Sequence, residues 1–113
     1  MVLVAWADPG TAGLDDDGSS GSASTVRVLA PSGQSVLVAG QVVLNRHHSH
    51  LYRGRLGQAL LEHELGHLLG LAHVDDPSQV MYPLLGDVDR LASGDRAGLR
   101  AAGRGGCPAA TPP

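Results

Sequence analysis

The chain has 113 residues, enough for one small domain that buries roughly two-thirds of the surface its unfolded form exposes. A formal net charge of −3, with arginines scattered singly among the acids and no lysine, offers no basic stripe and argues against nucleic acid as a partner; no apolar run approaches the ~18 residues of a membrane span. The single cysteine, Cys107, excludes an internal disulfide and a cysteine-based zinc finger, and the lack of Phe and Ile leaves Leu, Val and Ala to fill the core.

Val2 to Ala7 reads as a buried strand ended by Asp8-Pro9-Gly10. It is apolar and follows Met1 but has no basic flank, so no signal peptide is recognised in this chain. Gly10 to Ser24 is mostly Gly, Ser, Asp and Ala, and is expected to form a long loop without a packed element. Asp15, Asp16 and Asp17 in that loop offer oxygens to calcium, but a hard cation needs six or more in fixed geometry, and a solvated acidic turn is the plainer reading. Val26 to Leu29 and Val36 to Leu44 are predicted as strands joined by a turn at Pro31-Ser32-Gly33, a hairpin. His47, His48 and His50 follow. Three imidazoles within four positions offer a metal-storage reading, set against an ordinary exposed loop in which nothing fixes their orientation.

From Leu56 to Leu69 apolar positions 56, 60, 61, 65, 68 and 69 recur at helical spacing with no proline, predicting the one long helix. Gly70 closes it, able to take positive φ at the C-terminal cap. A last helix is expected from about Ser93 to about Gly103, with Asp95 in its first turn where a negative charge complements the helix dipole. Residues 105–113 are expected to be a disordered tail.

The chemistry concentrates in the long helix. His63 and His67 lie four apart, hence on one face, with Cβ atoms roughly 5–6 Å apart, so that two imidazoles can share one ion. A zinc ion takes ligands at about 2.0–2.1 Å in near-tetrahedral array, so the third must come from off the helix axis; Gly70 turns the chain and His73 supplies it. Three protein ligands leave one position for water. Glu64, about 100° round the helix from His63, is placed to act as a general base toward that water. Glu62 is expected to face solvent. Imidazoles in tetrahedral array suit zinc, with cobalt and nickel left open by geometry alone.

The run His63-Glu64-Leu65-Gly66-His67-Leu68-Leu69-Gly70-Leu71-Ala72-His73, followed by Val80-Met81-Tyr82-Pro83, resembles the metzincin clan and, within it, the matrixins, whose connection also contains the Asp-Pro found here as Asp76-Pro77. The resemblance implies an α+β fold: a partial zincin/metzincin-like catalytic domain over residues 1–104, with a small twisted sheet packed on the zinc-binding active-site helix and a C-terminal helix. It implies a secreted zinc endopeptidase acting on polypeptide, with His63, His67 and His73 as ligands, Glu64 as base and Met81 as the apolar floor in a methionine turn. Tyr82 and Pro83 would line the substrate pocket beside the scissile bond. Gly70 and Asp95 would give structural support, Asp95 by hydrogen-bonding the methionine-turn backbone. A core methionine and a surface dipole complement are the bland readings of Met81 and Asp95. The substrate would lie antiparallel to the edge strand Val26–Leu29. Relative to that family the chain reads as N-terminally incomplete, which keeps a non-catalytic zinc-binding remnant as the alternative. Oligomeric state and substrate are not legible.

Overall fold

The computed structural model describes residues 1–11, 13–84 and 88–105. Three strands, β1 (Val2–Ala7), β2 (Gly21–Leu29) and β3 (Ser35–Asn45), form one sheet in the order β1-β3-β2. The predicted hairpin is present: β2 and β3 pair antiparallel from Gly21 opposite Leu44 to Leu29 opposite Ser35. β1 pairs parallel with the other side of β3, Val2 opposite Gly40 and Ala7 opposite Asn45. A 3-10 turn at Arg46–His48 leads to helix α1 (Arg55–Leu68), and a long irregular connection leads to helix α2 (Ser93–Ala102).

Alternation along β3 decides which side of the sheet is covered. Val42 and Leu44 share a face and form a buried cluster with Leu60 and Leu68 of α1, with Ala23, Tyr52, Leu61 and Leu65 packed around it. A second cluster, Ala59, Val80 and Met81, lies against another face of α1 and is flanked by Leu71, Val88 and Leu91. The helix is thus held between the sheet and the chain that follows it. Deleting a side chain from a core this small leaves a cavity with few atoms able to refill it, so Leu68→Ala should cost about 2–5 kcal/mol of stability, read as a lowered urea midpoint with an unchanged m-value.

Four expectations need correction. β1 is not buried: it sits at the sheet edge with a single neighbour, and Val2, Leu3, Val4 and Trp6 are all exposed. The loop after β1 is shorter than expected, because β2 starts at Gly21; its Gly/Ser-rich first half has weak intrinsic strand preference, but the Val42–Leu44 segment of β3 pairs with it. That loop also contributes to the interior, since Leu14 is fully buried. Glu62 does not simply face solvent: Gln58 Nε2 donates to its Oε1 at 3.0 Å, and its Oε2 is buried with no partner among the described residues. Cys107 and most of the 105–113 tail lie outside the described residues.

The C-terminal end of α1 is built as the sequence suggests. Gly70 has φ +96°, its N–H donates to His67 O at 3.1 Å, and the Leu71 N–H donates to Gly66 O at 2.9 Å. This pair of bonds is a Schellman motif, with the left-handed residue just past the helix. It reverses the chain sharply and returns residues 71–73 alongside the last turn.

Candidate active site

His63, His67 and His73 converge, each offering a ring nitrogen within 4.8 Å of the others. Their orientation is set by backbone carbonyls. His63 Nδ1 donates to Val80 O at 2.6 Å, and His67 Nδ1 donates to Leu71 O at 2.8 Å. A carbonyl only accepts, so both rings carry a proton on Nδ1, and each ring when neutral turns a bare Nε2 toward the shared centre. The Schellman turn that returns the chain to His73 also aims the Leu71 carbonyl at His67.

His67 Nε2 and His73 Nε2 are 3.1 Å apart. Two ligands at 2.0–2.1 Å from one tetrahedral ion would be roughly 3.3 Å apart, so little movement is needed for both to hold it. With His73 protonated on Nδ1 as well, two lone pairs would face each other at this distance, a repulsion that a cation relieves. Three neutral imidazoles are a donor set that suits zinc. Among the described residues no fourth side chain joins the group, so the three ligands would leave an open position.

The Val80 carbonyl owes its position to Asp95. This carboxylate, in the first turn of α2, is 3% exposed. Its Oδ2 accepts the N–H of Val80 at 2.7 Å and of Ala92 at 2.9 Å, and its Oδ1 accepts the N–H of Met81 at 3.1 Å. Gln79 Oε1 in turn accepts the Asp95 N–H at 2.9 Å. Of the two readings of Asp95, the surface one does not fit a buried side chain with three backbone donors. Met81 is buried and lies under α1 at Gly66, where an added β carbon would stand only 2.6 Å from its sulfur. No role is assigned to Gly66 from the sequence, although a glycine within the last turn of a helix, ahead of the cap, is a signal that space is needed.

Glu64 is buried on the sheet side, beside His63 and the start of β2. Desolvation by burial raises its carboxyl above the ordinary 4.5, with the His67 charge opposing. Burial likewise holds the His63 imidazole below its ordinary 6.5, against the favourable bond to Val80, and His73 is lowered by desolvation and then by the neighbouring His67.

These groups face a cleft of about 520 Å³. It is lined by residues 17–23, by Tyr52 and Leu60, and by Pro83 and Leu84. Pro83 borders this cleft, whereas Tyr82 is half-buried and is not among the residues lining it. The edge strand does border the cleft, but at Gly21–Ala23 and not at Val26–Leu29.

The other histidines do not form a site. His47 Nε2 is 3.3 Å from Asp8, which also receives two hydrogen bonds from Arg46, whereas His48 Nδ1 is 3.0 Å from Ser20 Oγ. Asp15, Asp16 and Asp17 are exposed and do not converge, and Asp17 accepts the Ser19 N–H. Among the described residues the three-histidine group is the only cluster of potential metal ligands of that size.

The matrixin family model matches residues 34–102. The chain belongs to the matrixin family. It is a zinc-metalloendopeptidase-like protein of the matrixin type, and its three converging imidazoles with the adjacent glutamate reproduce the zinc-protease motif. No curated protein and no solved structure matches the chain. No helix among the described residues is long and apolar enough to cross a membrane.

Two outcomes follow for the matrixin site. Asp95→Ala leaves the Val80, Met81 and Ala92 N–H groups without their charged acceptor, and should cost about 3 kcal/mol or more in urea unfolding. Because it also frees the Val80 carbonyl that orients His63, zinc affinity in a competition titration should fall about 10- to 100-fold. In metal-free protein, the lowered pKa values of His63 and His73 mean that the unfolded chain takes their protons first. Their contribution to stability is complete above about pH 6.5 and is lost as pH falls through the lowered values. Glu64 acts oppositely, with its contribution complete below 4.5 and lost as pH rises through the raised value. Unfolding midpoints measured in a Glu64→Gln background should therefore drop on acidification below pH 6.5, and His63→Gln with His73→Gln should flatten that drop.

Proposed function

We propose that this matrixin hydrolyses internal peptide bonds of an extended polypeptide, with Glu64 as the base and His63, His67 and His73 holding one zinc ion. The observation that carries this reading is the convergence of three imidazoles, two of them oriented by backbone carbonyls, with a buried carboxyl on the adjacent helix position and no fourth side chain in the group. Bound there, zinc supplies Lewis acidity toward a peptide carbonyl and toward water.

The remaining work belongs to the chain. Glu64, raised in pKa by desolvation, is matched to accepting a proton from the attacking water and returning it to the departing amine. Gly21–Ala23, at the cleft edge of β2, offers main-chain groups to an extended substrate running antiparallel to it. Pro83 and Leu84 add apolar lining to the cleft, and Met81 fills the space beneath the ligand helix as the methionine of the turn. Gly70 and Asp95 serve as supports, the first by turning the chain to His73 and the second by holding the Val80–Met81 backbone. Matrixin membership supports a secreted setting.

Glu64→Gln keeps the shape of the side chain but removes the base. It should retain one zinc per chain by metal analysis and lose peptide hydrolysis by at least about 100-fold in kcat. Equal cleavage by both forms would remove Glu64 from the mechanism, and absence of cleavage by the zinc-loaded parent would favour a zinc-binding remnant without turnover.

A further inference from the structure

The start of β2 is pinned from one direction and pressed against Glu64 in the other. The Asn45 N–H donates to Ser20 O at 2.8 Å, and Asn45 Nδ2 donates to Ser19 O at 3.0 Å. Asn45 is itself 1% exposed, and its Oδ1 accepts the His47 N–H at 2.9 Å. Ser20 Oγ lies 3.0 Å from both His48 Nδ1 and the Tyr52 hydroxyl. The two residues that lead into the strand are therefore fixed by the end of β3 and the segment that joins it to α1.

The next residue, Gly21, meets the catalytic side of the helix. A β carbon built there would stand 2.9 Å from Glu64 Oε1, 3.1 Å from its Cγ and 3.2 Å from its Cδ. Gly21 is not among the positive-φ glycines, so its backbone does not demand glycine. Gly21 opens β2, where alanine would serve the backbone at least as well, so local stability does not favour glycine either. What the position needs is clearance.

We propose that Gly21, which follows the Ser19–Ser20 segment held by Asn45, His48 and Tyr52, is a positioning residue for Glu64: its bare backbone is the stop against which the carboxylate rests. The proposal takes Glu64 as the base, as above. A flexible side chain can swing away from an added methyl group at little cost to the fold. The carboxylate would then leave its place beside the ligands, and a displacement of about 1 Å is enough to cost two orders of magnitude in rate.

The test is Gly21→Ala in the zinc-loaded full chain. The expected result is one zinc per chain, an unfolding temperature equal to or above the parent's, and kcat on fluorescein-labelled casein lowered about 10- to 100-fold, with KM within about twofold. A crystal structure of the variant should show the Glu64 carboxylate turned away from the position of Gly21; this readout holds whether or not the parent turns over. Glu64→Asp, one methylene shorter, makes room, so adding Gly21→Ala to it should cost less than about twofold. Ser20→Ala should lower kcat by the same route, to a smaller extent. An unmoved Glu64 in the variant, or a cost of Gly21→Ala that is the same in the parent and in the Glu64→Asp background, would overturn the proposal. Cleavage surviving in Glu64→Gln would instead overturn Glu64 as the base, a result distinguishable from either of these.

Discussion

A buried charge organises the lower half of this protein. Asp95 sits in the first turn of α2 with almost no solvent, a placement that is costly unless the carboxylate is fully hydrogen-bonded. It receives three backbone N–H groups, two from the Val80–Met81 turn and one from the residue that precedes its own helix. The last of these serves the helix end as half of a capping box, since Ala92 has no side-chain acceptor to return. One carboxylate thus joins a helix start to a distant turn. Because the Val80 carbonyl then accepts from His63, the direction of a metal ligand depends on a residue more than thirty positions along the chain.

The two sides of α1 divide the chemistry. On the side of the turn, carbonyls of Val80 and Leu71 fix the tautomer and the aim of two imidazoles. On the side of the sheet, β2 confines the carboxyl of Glu64 and removes it from water. Ligand geometry and base placement are therefore supported by separate parts of the fold. A disturbance of the turn should be felt first in metal affinity, and one at the sheet first in turnover.

What could be read in the sequence was whatever short-range periodicity decides. Histidines four apart must share a helix face, and a glycine after a helical apolar pattern ends the helix, so the ligand set and its turn followed from residues 63–73 alone. The hydrogen bonds of Asp95 were reached only through likeness to a family, because the first turn of a helix is an ordinary place for an acid. The extent of β2 was missed because Gly21 to Ser24 has no apolar alternation of its own; the pairing is imposed by β3. The exposed face of β1 was misread because an apolar strand looks the same in sequence at a sheet's edge and at its centre. The scattering of His47 and His48 to Asp8 and Ser20 depends on which elements flank the loop, which local sequence does not specify.

Two glycines carry a signal that sequence does hold but that composition obscures. Gly66 lies in the last turn of α1 and Gly21 opens a strand, both places where alanine would serve the backbone at least as well, and neither adopts positive φ. A glycine that is neither a turn nor a cap must be there for space. At Gly66 the space is taken by the Met81 sulfur, at Gly21 by the Glu64 carboxylate. The ligand helix is accordingly approached without a β carbon from below and from the sheet, at the two positions that adjoin its chemistry. Local stability given up at these two points is offset by close packing around the residues whose positions the reaction depends on most.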